Sequence, residues 1–252
     1  EHIAAVSHKD IASFVGSNFV PEGAIISVAG KIDWESLKSE VETAFGDWQS
    51  RSQAELTTSP GVGGYQHIPH DSEQTQIAVA YPAVPYDHDD YFRMRGAVGV
   101  LSDGMSSRLF TEIREVRGLC YSVYATYHLL RHEGRILCYV GTSTERAQES
   151  LDVLLEEIQK MSDGIVEGEL LRLKARVRSA LIMQQEMSTA RSGAMAADWY
   201  HLGRVRTMDE ISSIIDGLTC ESVNAFLAEN SPSEFTVVTL GAQELETSVA
   251  VP

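Results

Sequence analysis

Residues 104–123 read GMSSRLFTEIREVRGLCYSV and predict a helix that is followed directly by a strand. Ser106 or Ser107 is a typical helix N-cap, and apolar side chains recur at helical spacing at Leu109, Ile113 and Val116. Gly118 suits the left-handed conformation that ends many helices, and Leu119 begins the strand. The pattern therefore places only a short turn between the two elements.

Two polar side chains can meet at this turn. Arg114 lies in the last turn of the predicted helix, and Tyr121 lies just inside the strand. A guanidinium and a phenol hydroxyl are donors suited to a substrate carbonyl or a developing oxyanion. A purely structural interpretation is also open, because an arginine near a helix C-terminus interacts favourably with the helix dipole and a half-buried tyrosine is common.

Length and composition predict a globular protein with a sizeable core. The chain has 252 residues, of which 43% are hydrophobic and 22% are charged, and its formal net charge is −16. This acidity disfavours nucleic acids as partners. No apolar run approaches the roughly 18 residues of a membrane-spanning helix. Three separated cysteines without a CxxC motif favour a reducing compartment, such as the cytoplasm, over a disulfide framework.

The rest of the chain is predicted to mix helices and strands. Capping residues begin helices at Ser7, Asp33 and Thr207, and the apolar run at 24–29 is typical of a buried strand. Further strands are predicted near 76–80, 119–129, 135–141 and 235–240. Further helices are predicted near 89–100, 106–116, 147–161, 166–181 and 221–228.

An internal repeat indicates two related units. The segment SHKDIASFVGSNFVPEGAIISVAG from Ser7 and the segment TCESVNAFLAENSPSEFTVVTLG from Thr219 both give cap, helix, Asn, Pro, apolar strand and Gly. Between them, residues 49–64 are polar and then rich in Pro and Gly, which is typical of a linker. We therefore expect residues 1–48 to be the truncated end of one α+β domain, continued upstream, and residues 65–252 to be a second, related domain.

No metal-binding motif is present. HExxH and HxxEH do not occur, and neither do GxSxG, GxGxxG or a P-loop. His67 and His70 are separated by a proline and have no following carboxylate, while His128 and His132 flank a predicted hairpin turn without a third ligand. We expect this chain to bind no metal and to hold no catalytic residue of its own.

The stretch at 104–123 resembles the hallmark of the second half of pitrilysin/insulysin-type zinc metallopeptidases, the inverzincins that include mitochondrial processing peptidase. In that family an SRL-type helix leads to an Arg and then to a Tyr, which correspond here to Arg114 and Tyr121. The resemblance extends over the whole chain. It implies an α+β fold in two layers, with an antiparallel-rich sheet covered by helices, preceded by the trailing helix-strand-helix of a related domain.

The resemblance also implies a function. In the family, the N-terminal unit binds zinc through HxxEH, and the C-terminal unit supplies the Arg/Tyr pair that holds the peptide substrate in a two-domain chamber. Arg114 and Tyr121 would then be substrate-binding residues of a zinc-dependent metalloendopeptidase. The zinc would belong to a missing N-terminal domain or partner subunit, and a homo- or hetero-oligomer is expected. The alternative is a non-catalytic subunit or a scaffold or binding protein of the same fold.

Overall fold

The computed structural model of the chain describes residues 2–49 and 63–247. Five strands form one sheet: β1 Gly64–Pro69, β2 Gln74–Ala83, β3 Cys120–Leu129, β4 Gly134–Ser143 and β5 Thr236–Gly241. Their order is β1-β5-β2-β4-β3. The β1–β5 pair is parallel, and the other three neighbouring pairs are antiparallel. The predicted antiparallel-rich sheet is therefore confirmed.

The helices of the same part of the chain form a layer on the sheet. They are α4 Tyr91–Ser102, α5 Ala147–Gln159, α6 Glu167–Glu186, α7 Ser188–Leu202, α8 Met208–Gly217 and α9 Cys220–Glu229. Helices α4 and α5 pack on the strands, α6 and α9 pack against α4, and α7 and α8 pack against α6. No helix in the described ranges is both long and apolar enough to cross a bilayer. The two-layer α+β fold is confirmed.

The core lies between the helices and one face of the sheet. In β2 the buried residues Ile77, Val79 and Tyr81 alternate with less buried ones, because successive side chains of a strand point to opposite faces. Val79 pairs with Cys138 of β4, which is also fully buried. The period of two in the sequence thus fixes which side of each strand the helices cover.

Residues 2–49 contain α1 His2–Ala5, α2 His8–Asn18 and α3 Trp34–Phe45. The predicted caps are confirmed, since the side chains of Ser7 and Asp33 accept hydrogen bonds from the first turns of α2 and α3. The predicted strand at 24–29 is wrong, because these residues form no ladder. A strand needs a neighbour that pairs with its backbone hydrogen-bonding groups, and no described strand pairs with residues 24–29.

Two further elements differ from the sequence-based expectation. Residues 64–69 form the edge strand β1 and Ser188–Leu202 form α7, and neither element was predicted. The predicted linker at 49–64 falls almost entirely outside the described residues. The division into domains at 1–48 and 65–252 stays a prediction.

Candidate functional site

Arg114 lies on a π-helix, Phe110–Val116, where the sequence predicts a regular α-helix. Ile113 is fully buried and anchors this helix in the core, whereas the neighbouring Arg114 is exposed. A π-helix changes the number of residues per turn and therefore the direction in which a following side chain points. Such turns are rare and are frequently found at functional sites.

Tyr121 lies on an irregular part of strand β3. Cys120 pairs with Thr142 and Ser122 pairs with Gly141, so the register shifts by one residue and Tyr121 is left without a partner on β4. Its side chain is 86% exposed. A bulge of this kind bends the strand and re-aims a side chain, and bulges are common beside active sites.

The turn between the two elements is tightly fixed. Gly118 has φ +60, a left-handed conformation that glycine adopts at low cost. The amide of Leu119 donates a hydrogen bond to the carbonyl of Ile113, with 2.9 Å between nitrogen and oxygen. The guanidinium of Arg146 donates to the carbonyl of Gly118. These bonds hold the end of the π-helix against the start of β3.

The structure brings Arg114 and Tyr121 together, as the sequence predicts. The guanidinium of Arg114 lies 5.6 Å from the ring centroid of Tyr121 and 4.9 Å from that of Phe110. Among the described residues, the guanidinium of Arg114 has no ion-pair or hydrogen-bond partner and contacts the two rings, so its donors can bind an added acceptor. Burial raises the pKa of the nearby Cys120 thiol, and the positive charge of Arg114 counteracts this shift. The substrate-binding role of the pair stays a prediction.

The four histidines considered as ligands do not converge. His67 lies on β1 and His128 on β3, which are opposite edges of the sheet. His67 Nδ1 is 2.9 Å from Thr239 Oγ1, and His128 Nε2 is 2.8 Å from Thr126 Oγ1. Within the described ranges, no three His, Cys, Asp or Glu side chains are grouped to hold a metal ion. These residues do not fit a zinc site.

The sequence predicts that Arg114 and Tyr121 lie close together, but it does not predict the backbone irregularities that present them. The apolar residues of this stretch recur at a spacing that fits an ordinary α-helix. The sequence therefore gives no signal for a π-helix. Both irregularities depend on how the segment is held between the core and β4.

Residues 5–177 match the family model described as peptidase M16 inactive domain. The chain belongs to this family. Among its relatives, an uncharacterized zinc protease of Rickettsia felis is 26% identical over 222 residues, which are 88% of this chain and 54% of that protein. An uncharacterized zinc protease of Mycobacterium bovis is 28% identical over 238 residues, covering 89% and 53%. The chain therefore spans about half the length of the curated relatives it matches.

Solved structures share the fold of this M16 chain. The peptidase M16 inactive domain from Pseudomonas fluorescens matches with a TM-score of 0.81 and 17% identity, over 98% of this chain and 60% of the other. A protease from Helicobacter pylori gives 0.79 and 18%, over 94% and 60%. Complex III2 from Candida albicans gives 0.74 and 17%, over 94% and 59%. The family resemblance seen in residues 104–123 is confirmed.

Proposed function

We propose that this chain is the C-terminal, substrate-binding part of a zinc-dependent metalloendopeptidase, in which Arg114 and Tyr121 hold the peptide substrate. The observation that carries the proposal is that a π-helix and a β-bulge present these two donors side by side in solvent. Neither side chain contributes to the core, since Arg114 and Tyr121 are both exposed. The zinc protease names of the relatives support the class of reaction.

The two side chains have complementary capacities toward a peptide. The guanidinium of Arg114 offers several N–H donors in a fixed plane, and the hydroxyl of Tyr121 offers one donor that rotates. Both can donate to carbonyl oxygens of an extended peptide and fix its position along the chain. Donors placed where negative charge develops on a carbonyl oxygen stabilise the transition state more than the ground state. Bond cleavage itself would need a zinc bound by another unit.

The surface of residues 2–49 supports the existence of that unit. Among residues 3–49, Val20 is the one buried side chain, although many large apolar side chains are present. Those at least half exposed are Ile3, Val6, Ile11, Phe14, Phe19, Ile26 and Trp34. A large exposed apolar surface marks an interaction site. We propose that a preceding domain or a partner subunit covers it and supplies the zinc ligands.

The rival function is a non-catalytic subunit or scaffold of the same fold. The structural likeness to Complex III2 from Candida albicans shows that the fold also occurs in a chain of that complex. In that case Arg114 and Tyr121 would have no substrate to bind.

One experiment separates the two functions. The full-length protein encoded by the gene is purified and assayed for peptide hydrolysis, before and after zinc is removed with a chelator. The proposal expects hydrolysis that is lost with the metal, is restored by zinc, and falls strongly in Arg114→Ala. A full-length protein that contains no HxxEH and hydrolyses no peptide would favour the scaffold.

A further inference from the structure

A large cavity lies among helices α4, α6, α7 and α8, away from the candidate site. Its volume is about 890 Å³, and neither Arg114 nor Tyr121 lines it. Cavities that bind small molecules typically measure about 300–1,000 Å³ and combine an apolar lining with a few polar groups. Both features are present here.

The lining is largely apolar and elongated. Its apolar side chains include Leu173, Val177 and Leu181 of α6 together with Met195, Ile211 and Ile215 of α7 and α8. The part of α6 that lines the cavity runs from Leu173 to Gln185. Because a helix rises about 1.5 Å per residue, the cavity extends roughly 18 Å along α6. It therefore has room for a long apolar body.

The charges around the cavity are unbalanced. Four arginines and two aspartates line it, and each aspartate is paired with one arginine: Arg95–Asp103 at 3.1 Å and Arg206–Asp198 at 2.6 Å. The other two arginines, Arg176 and Arg191, form no ion pair and no side-chain hydrogen bond with any described residue. Both are exposed and accessible to a ligand. The cavity thus has two surplus positive charges in a chain whose net charge is −16.

The buried pair of Asp198 and Arg206 leaves little for a ligand to bind. The hydroxyl of Tyr86 donates to Asp198 Oδ1 at 2.7 Å, and the amide of Arg206 donates to Asp198 Oδ2 at 2.8 Å. The side chains of Asp198 and Arg206 are each only 7% exposed. Arg95 is already paired with Asp103, so the guanidiniums available to an added anion without a carboxylate partner are those of Arg176 and Arg191.

We propose that this cavity binds a long-chain aliphatic carboxylate, with the carboxylate at Arg176 or Arg191, the two lining arginines without an ion pair, and the chain along the apolar side of α6. Guanidinium groups bind carboxylates through short, charge-assisted hydrogen bonds. Burial of the aliphatic chain against the apolar lining supplies the rest of the affinity. A cationic amphiphile is repelled by the two arginines, and a short carboxylate lacks the apolar contact. The proposal is independent of the peptidase function.

Isothermal titration calorimetry of the 252-residue chain tests the proposal. Dodecanoate, kept below its micelle concentration, is expected to bind with a stoichiometry of about one. Butanoate and dodecyltrimethylammonium are expected to bind at least about tenfold more weakly, since each lacks one of the two recognised features. Equal affinity for dodecanoate and dodecyltrimethylammonium, or several equivalent dodecanoate sites, would overturn the proposal.

Variants test whether dodecanoate binds in this cavity. The double variant Arg176→Gln/Arg191→Gln is expected to raise the Kd for dodecanoate by about tenfold or more, the effect of losing charge-assisted contacts. Arg135→Gln is the matched control, because Arg135 is an exposed arginine on β4 that does not line the cavity. Ala194→Phe places a ring in the cavity from α7 and is expected to weaken binding, with folding checked by circular dichroism. Unchanged affinity in the double variant would overturn the proposal even if Ala194→Phe failed to fold.

Discussion

The guanidinium of Arg114 lies over the ring of Tyr121, 5.6 Å from its centroid, although a helix end and a turn separate the two residues. The contact is a cation–π interaction at an exposed position, where it contributes about 0.5–1 kcal/mol. So weak a contact does not hold the fold together. It does limit the rotamers of two donors that face solvent, so a ligand that binds both loses less conformational entropy.

We expect Arg114→Ala and Tyr121→Phe to reduce activity without reducing stability. If the proposed peptidase function holds, each should lower the kcat/KM of the full-length protein by about 10²–10³-fold, the usual effect of losing one oxyanion donor. The double variant should lose less than the sum of the two effects, because both donors would act on the same peptide. Steady-state kinetics and thermal melts of each variant measure the two quantities.

Matched controls lie on the same two elements. Arg117→Ala removes an exposed arginine at the end of the π-helix, and Tyr124→Phe removes the hydroxyl of an exposed tyrosine on β3. Both should leave kcat/KM nearly unchanged. If Arg114→Ala instead unfolds the protein while the folded fraction keeps full specific activity, the pair is structural.

Asp198→Asn should destabilise the fold strongly. The substitution leaves the Arg206 guanidinium buried without its counter-ion, and breaking a buried pair in this way costs about 3–5 kcal/mol. Asp216→Asn is the control, because its ion pair with Arg178 is about half exposed and contributes about 0–1 kcal/mol. Urea unfolding measures the free energy of unfolding of both variants. Equal losses would show that the Asp198–Arg206 pair contributes no more to stability than the exposed Asp216–Arg178 pair.

The same carboxylate predicts how stability depends on pH. Burial alone would raise the pKa of Asp198, but hydrogen bonds from Arg206 and Tyr86 outweigh burial and lower the pKa below its ordinary value of 3.8. A carboxylate with a lowered folded-state pKa stabilises the fold above its unfolded-state pKa, and this contribution is lost as the pH falls through the folded-state value. The free energy of unfolding should therefore fall below about pH 4, and less steeply in Asp198→Asn.

Cleavage within residues 57–60 should leave a folded product that begins near Gly64. The N-terminal product should show no cooperative thermal transition, because residues 2–49 bury almost no apolar side chain and are too few to form a stable core. Circular dichroism of the separated products measures both outcomes. A cooperative melt of the N-terminal peptide would contradict the assignment of 1–48 as the end of a larger domain.

The purified 252-residue chain should retain no stoichiometric zinc. The described residues offer no cluster of three ligands, and zinc sites in proteins need three or four. Elemental analysis after dialysis against zinc measures the bound metal, with a denatured sample as the control for non-specific binding. About one tightly held zinc per chain would contradict this and would direct attention to His67, His70, His128 and His132.

Local sequence patterns correctly predicted most helices and strands between residues 65 and 247. Strands β2 to β5 and helices α4, α5 and α9 lie close to their predicted ranges, because each has a clear apolar period and punctuating Gly, Pro or capping residues. Strand β1 was missed because GYQHIP has turn residues at both ends and little alternation. It is a strand because it pairs in parallel with β5, whose residues lie more than 160 positions later.

The sequence by itself determined the family and the two-layer fold, and it predicted that Arg114 and Tyr121 lie close together, because these depend on motifs and periods within short segments. Only the tertiary structure decided how those residues are presented. The π-helix and the bulge at Tyr121 arise where the segment is held between the buried Ile113 and the register of β4. No strand forms at 24–29, although one was expected, because a strand forms only where a neighbouring strand pairs with its backbone hydrogen-bonding groups. Likewise, Arg176 and Arg191 form part of a cavity only because α4, which lies far earlier in the chain, packs with the consecutive helices α6, α7 and α8.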